Sequence, residues 1–140
     1  MVELRFRDDA AVDEPGTTLD GFLDQSNATA VRIEAGEDVR RLLPFLDRLR
    51  LVEIAFPTYR DGRGYSAARI LREAGYTGEL RAAGDVLVDQ LWFMRRTGFD
   101  SFAPEKALDP AAVERALNRY ASVYQRAADG RPPVWKLRHG

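Results

Sequence analysis

Four short runs rich in β-branched or alternating apolar residues recur along this chain, each followed by a stretch with helical spacing. They are AVRIE (30–34), LVEIAF (51–56), ELRAAG (79–84) and FDSFA (99–103). Their starts fall 20 to 28 residues apart, room enough for one crossover helix between neighbours. Such alternation demands an α/β fold with a mainly parallel sheet joined by right-handed crossovers. Two architectures satisfy it. One is an open three-layer sheet. The other is a half or partial TIM-like barrel, since four β-α units are half of the eight that close one. Four strands do not close a barrel alone, so a half-barrel requires N-terminal strands or a partner subunit.

The helical stretches carry their own signals. Gly36, Glu37 and Asp38 open a pattern with Val39, Leu42, Leu43 and Leu46, where the acidic start suits the helix dipole and Pro44 breaks or kinks the run. A second helix is expected from about Ser66, with Ala67, Ile70, Leu71 and Ala74 on one side and Gly75 as its C-terminal cap. Asp85 stands where an N-cap belongs, ahead of VLVDQLWFMRR, which ends on Arg95, Arg96 and Gly98. Asp109 and Pro110 start the last helix, whose apolar stripe is Val113, Leu117, Tyr120 and Tyr124. The 140 residues read as a single α/β domain, with a poorly defined N-terminal segment (1–27) and a C-terminal tail (131–140). Within the former, VELRF fits an edge strand, DEPG and DQSN fit turns, and TLDGFL fits a short helical turn or loop. In the tail, Trp135 is expected to dock back on the body.

Composition removes whole classes of chemistry. There is no cysteine, which excludes a disulfide framework, a thiolate nucleophile and a cysteine-held zinc or iron–sulfur site on this chain. The single histidine, His139, leaves no basis for a serine–histidine triad or a multi-histidine metal site. No cofactor is expected, and no haem or iron–sulfur ligands. The net charge of −1 argues against a nucleic-acid partner. No apolar run approaches the roughly 20 residues of a membrane helix, and the N-terminus is too charged for a signal peptide, so a cytoplasmic protein is expected.

In parallel α/β folds, ligands bind beyond the carboxyl ends of the strands. The richest loop there is PTYRDGRGY. Arg60, Asp61 and Arg63, with Arg81 from the third strand, form a candidate anion site; Tyr59, Tyr65, Ser66, Asp85 and Asp89 would support it. Glycines let a backbone approach a ligand closely, a helix start offers free N–H groups, and arginines supply forked donors. The same residues also make an ordinary turn, with Asp61 pairing internally with Arg63 or Arg81. The spacing matches neither a P-loop nor a dinucleotide fingerprint. Glu79, Asp85 and Asp89 raise an acid–base or Mg²⁺ alternative, with Asp85 and Asp89 one helical turn apart. Trp92, Phe93 and Met94 are consecutive, so they do not share one helix face. The outlying side chain meets another layer of the same domain or a partner, a second copy included.

FPTYRDGRGYSAARILR, followed by GYTGELRAAGDVLVDQLWFMRRTGFDSF, closely resembles the core of the bacterial domain-of-unknown-function family nine-three-four (DUF934). The likeness is strong over residues 56–102 and reaches back to about residue 30. The resemblance implies a place beside assimilatory sulfite reductase, and such proteins are often labelled oxidoreductases of sulfite reduction; it supplies no catalytic residues. A chain without cysteine does not hold the sirohaem-linked cluster of that reductase. An accessory role in sulfur assimilation follows, with a sulfite reductase subunit as partner and a small sulfur oxyanion as ligand. Two rival readings stand beside it: a small barrel-like enzyme using carboxylate or arginine chemistry, and a binding module acting through Trp92, Phe93 and the tail.

Overall fold

A computed structural model describes residues 4–12, 16–24, 27–127 and 136–137. The expected docking of Trp135, most of the DEPG and DQSN turns, His139 and the side chains of Tyr120 and Tyr124 lie outside the described residues. The order is β1 (Leu4–Arg5), β2 (Thr17–Thr18), α1 (Leu19–Asp24), β3 (Ala30–Ile33), a 3₁₀ helix (Val39–Arg48), β4 (Leu51–Phe56), α2 (Gly62–Glu73), β5 (Glu79–Gly84), a 3₁₀ turn (Val88–Gln90), α3 (Leu91–Thr97), β6 (Ser101–Pro104), α4 (Pro110–Ala127) and β7 (Lys136–Leu137).

Among the described residues the strands form one open sheet in the order β2-β3-β4-β5-β6-β1-β7. Strands β2 to β6 run parallel in sequence order. Strand β1 turns back antiparallel against β6, and β7 pairs antiparallel with β1. VELRF therefore supplies an inner strand rather than an edge, because Leu4 and Arg5 have partners on both sides.

Equal-handed crossovers between strands in sequence order put every crossover on one side of the sheet. The core has that form. Val31, Ile33, Val52, Ile54, Phe56, Leu80, Ala82 and Phe102 occupy one alternate set of strand positions and join a single buried cluster. Leu19 and Phe22 of α1, Val39 and Leu42 of the 3₁₀ helix, Leu71 of α2, Leu91 and Met94 of α3, and Val113 and Leu117 of α4 complete it. Among the described residues the helices thus cover one face of the open sheet, as in a strip of barrel wall. Open edges at β2 and β7 leave the barrel unclosed.

The segment after β3 differs from the α-helix expected there. Asp38 caps it, its side chain accepting from the Arg40 N–H, but residues 39–48 wind as a 3₁₀ helix with Pro44 inside. Proline lacks an N–H and crowds the preceding turn, which disfavours regular α-helical bonding through that point. Leu43, expected on the apolar side, is 36% exposed as a result. No helix among the described residues is long and apolar enough to cross a membrane.

Candidate functional site

The loop after β4 begins where Phe56 leaves the sheet and ends at Asp61. The Asp61 carboxylate accepts from the Arg63 N–H at 3.0 Å, so α2 starts at Gly62, four residues before the expected Ser66. Gly62 and Gly64 are therefore first-turn residues rather than loop. Gly64 packs against the Phe56 ring so closely that a Cβ there would lie 2.4 Å from Cζ. The capping bond and this close packing outweigh the poor helix propensity of glycine.

Asp61 also takes the Arg63 guanidinium, with Nε at 2.9 Å and Nη2 at 2.7 Å. The hydrogen bond from Arg63 holds the Asp61 carboxyl below its ordinary range. The Arg63 side chain is 62% exposed at the head of the helix. Ser66 lies exposed one turn later. Arg63 and Ser66 line a cleft of about 610 Å³ with Gly36, Arg40 and Ala67, between the starts of the 3₁₀ helix and α2.

Tyr59 is gripped from two sides. Its N–H donates to the Asp85 carboxylate at 2.8 Å, and its carbonyl accepts from the Gln90 side chain at 3.3 Å. Asp85 is therefore not the N-cap of the following helix. That helix begins three residues later with the 3₁₀ turn, whose first residues have no side-chain cap. Gly84 explains the offset: at φ +96° it turns the chain so that the Asp85 N–H donates to the Phe56 carbonyl at 2.9 Å. The carboxylate is then spent on the neighbouring loop. Arg60, next along, is exposed. Its Nε donates to the Tyr59 hydroxyl at 2.8 Å, and its guanidinium lies 5.2 Å from the centre of the Tyr59 ring. Among the described residues nothing takes up its two terminal nitrogens. Asp89 is exposed on the 3₁₀ turn, also without a hydrogen-bond partner among them.

Tyr65 faces inward. Its ring stacks edge-on against Phe56 at 5.3 Å and Phe93 at 4.9 Å. Its hydroxyl is buried without a hydrogen bond among the described residues, and burial raises its pKa. Of the aromatic run after it, Trp92 is buried and donates Nε1–H to the Ala116 carbonyl at 2.9 Å. Met94 is buried too, while Phe93 is 53% exposed and is the outlying side chain.

Arg81 stands apart from the other three candidates. It lies on the face opposite the described helices, in a rung that crosses the sheet as Arg32, Glu53, Arg81, Ser101 and Arg5. Its guanidinium pairs with Glu53 at 3.2 Å and with Glu79 at 3.3 Å. Glu53 also pairs with Arg32. Glu79 is 1% exposed and takes Arg5 Nε at 3.0 Å and Nη2 at 2.9 Å. Burial alone pushes the Glu79 carboxyl up, but the hydrogen bonds and charges of Arg5 and the charge of Arg81 outweigh it, so its pKa lies below the ordinary value. Glu79 and Asp85 flank a six-residue strand, about 20 Å long at the usual rise, so they do not share a site. No group of three or more metal-binding side chains comes together among the described residues.

Two further hollows lie along the carboxyl edge. A groove of about 830 Å³ on the side opposite the described helices is lined by Arg32, Glu53, Ala55, Pro57, Ala83 and Glu105. A second, of about 460 Å³, is lined by Asp85, Leu87, Glu105, Lys106 and Asp109, and shares Pro57 and Gly84 with the first. The edge therefore carries the loop after β4, with Arg60 and Arg63 exposed, while Arg81 is committed to carboxylates below it. Sequence reasoning did not single out Gln90, Glu53, Arg5 or Arg32. The contacts that tie them into the sheet and the loop reach 21 to 74 residues along the chain, and no local spacing announces those.

No curated protein and no solved structure matches the chain. The model of a family described as a bacterial protein of unknown function, DUF934, matches residues 30–135. That span takes in the core strands β3 to β6 and the loop bearing Tyr59, Arg60 and Arg63, and the chain belongs to this family.

Proposed function

We propose that the chain is an accessory protein of assimilatory sulfite reduction that binds a small sulfur oxyanion at the loop after β4. The observation that carries the anion reading is Arg60. It is exposed, stacked on a tyrosine whose backbone is tied down, and its two terminal nitrogens have no protein partner among the described residues. Arg63 adds a second exposed guanidinium at the head of α2, beside Ser66, with its Nε and Nη2 already held by Asp61. Arginine presents planar paired donors that suit sulfite or sulfate oxygens. Arg81 supports this site only from a distance, since two carboxylates already neutralise it. The sulfur assignment rests on the family resemblance. Asp61 and Asp85 hold backbone and arginine groups in the loop, which speaks for binding rather than proton transfer.

A docking role toward a sulfite reductase subunit is favoured by Phe93, exposed beside Tyr65 on the neighbouring helix. Association is tested by size-exclusion co-elution of the full chain with a sulfite reductase subunit at micromolar concentration. Co-elution that weakens on Phe93→Ala supports the role. Separate elution at all concentrations overturns the accessory reading.

A further inference from the structure

We infer that Asp85 and Gln90 are positioning residues for Arg60, acting through the backbone of Tyr59. The inference rests on the reading of the loop after β4 as an anion-binding edge, and it names what fixes that edge. Tyr59 and Arg60 contribute no side chain to the buried core. Even so, two polar side chains from another loop are committed to the Tyr59 peptide groups. Asp85 accepts its N–H at 2.8 Å and Gln90 donates to its carbonyl at 3.3 Å.

The grip comes from a different βα unit, 26 and 31 residues further along the chain. It is anchored in turn. The Asp85 N–H bonds the Phe56 carbonyl at 2.9 Å, and Gly84 sits so close to that carbonyl that a Cβ would lie 2.5 Å from its oxygen. The loop after β4 is thus tied to the loop after β5 at Phe56 and at both peptide groups of Tyr59. With the Tyr59 backbone fixed, the ring has a defined place, and Arg60 is laid on it by the bond from Nε to the hydroxyl. What remains outward is the pair of terminal Arg60 nitrogens. An arginine held this way loses less rotamer freedom on binding than a free one. The order of events runs from the Asp85 and Gln90 side chains, to the Tyr59 backbone, to the Tyr59 ring, to the Arg60 guanidinium.

The test combines two readouts on the full chain: amide hydrogen exchange at Tyr59, and sulfate affinity by calorimetry. Wild type is compared with Gln90→Ala, Asp85→Ala, Asp85→Asn and Arg60→Ala. Asp85→Ala is expected to speed Tyr59 exchange about tenfold while amides inside β5, such as Leu80, keep their protection. Asp85→Asn, which retains an acceptor oxygen, is expected to restore most of that protection. Gln90→Ala and Asp85→Ala are each expected to weaken sulfate binding roughly three- to tenfold, as loss of one hydrogen bond would. Arg60→Ala is expected to weaken it at least as much while leaving Tyr59 exchange unchanged. Unchanged Tyr59 exchange in both Asp85→Ala and Gln90→Ala overturns the inference, whatever sulfate does. Faster exchange with sulfate affinity intact also overturns it, since the tie would then hold the loop without serving Arg60. If wild type binds no sulfate or sulfite, the anion reading fails, and so does the positioning role built on it.

Discussion

Replacing Glu79 by alanine should be among the most damaging single changes in the sheet. The carboxylate is 1% exposed and sits between Arg5 and Arg81, which are 7% and 8% exposed. One oxygen takes two Arg5 nitrogens at 3.0 and 2.9 Å, and the other takes Arg81 at 3.3 Å. Removing one member of a buried ion pair typically costs about 3–5 kcal/mol, because a charge is left without compensation. Each arginine retains a second partner here, Asp9 for Arg5 and Glu53 for Arg81, so the lower end, about 3 kcal/mol, is expected. At this chain length that corresponds to a melting point about 10–15 °C lower. Urea unfolding at pH 7 with calorimetric melting reads both numbers. Glu79→Gln keeps the shape and one acceptor and should lose about half as much. The pH dependence has a definite sign. The folded pKa of Glu79 lies below its ordinary 4.5, so its contribution is complete above that value and disappears as pH falls through the folded value. The stability gap between wild type and Glu79→Gln should therefore shrink on acidification below pH 4.5. A loss under about 1 kcal/mol for Glu79→Ala, or a gap that widens in acid, would refute the buried-rung account.

Three further perturbations bear on the elements that shape the edge. Gly84→Ala places a side chain at φ +96° and 2.5 Å from a backbone oxygen, so it should cost about 2–4 kcal/mol in urea unfolding. Asp61→Ala removes the α2 cap and should cost about 1 kcal/mol, with little added by its pair with the exposed Arg63. Arg72→Ala strips donors from the carbonyls of Tyr76, Gly78 and Gly98 and from the Asp100 carboxylate; a loss of about 2–4 kcal/mol is expected, read as a lower denaturation midpoint.

The core strands β3 to β6 were legible because each is an apolar or alternating run bounded by turn residues, a local signal. Gly75 and Gly98 were equally readable as helix ends, and both sit at positive φ. What escaped was non-local. The sequence offers Asp85 as a cap, but its acceptor is used by a backbone group 26 residues earlier. It presents Arg81 as a candidate ligand, but register places that side chain in line with Glu53 and beside Glu79. Glycine propensity pointed to a loop at 62–64, where a cap and an aromatic ring impose a helix. Within the candidate site, Arg60 and Arg63 were found through their residue type and the parallel fold. Gln90 was not, because an amide inside a helical run carries no mark of a partner across the edge.

One titration tests the anion-binding edge most directly: sulfite into the full chain, wild type beside the double variant Arg60→Ala/Arg63→Ala, at low ionic strength. The prediction is saturable binding by wild type that the double variant weakens at least tenfold, with the two proteins equally stable to urea. Equal heats for both would contradict an anion-binding edge at Arg60 and Arg63 and leave the loop as a brace between two βα units.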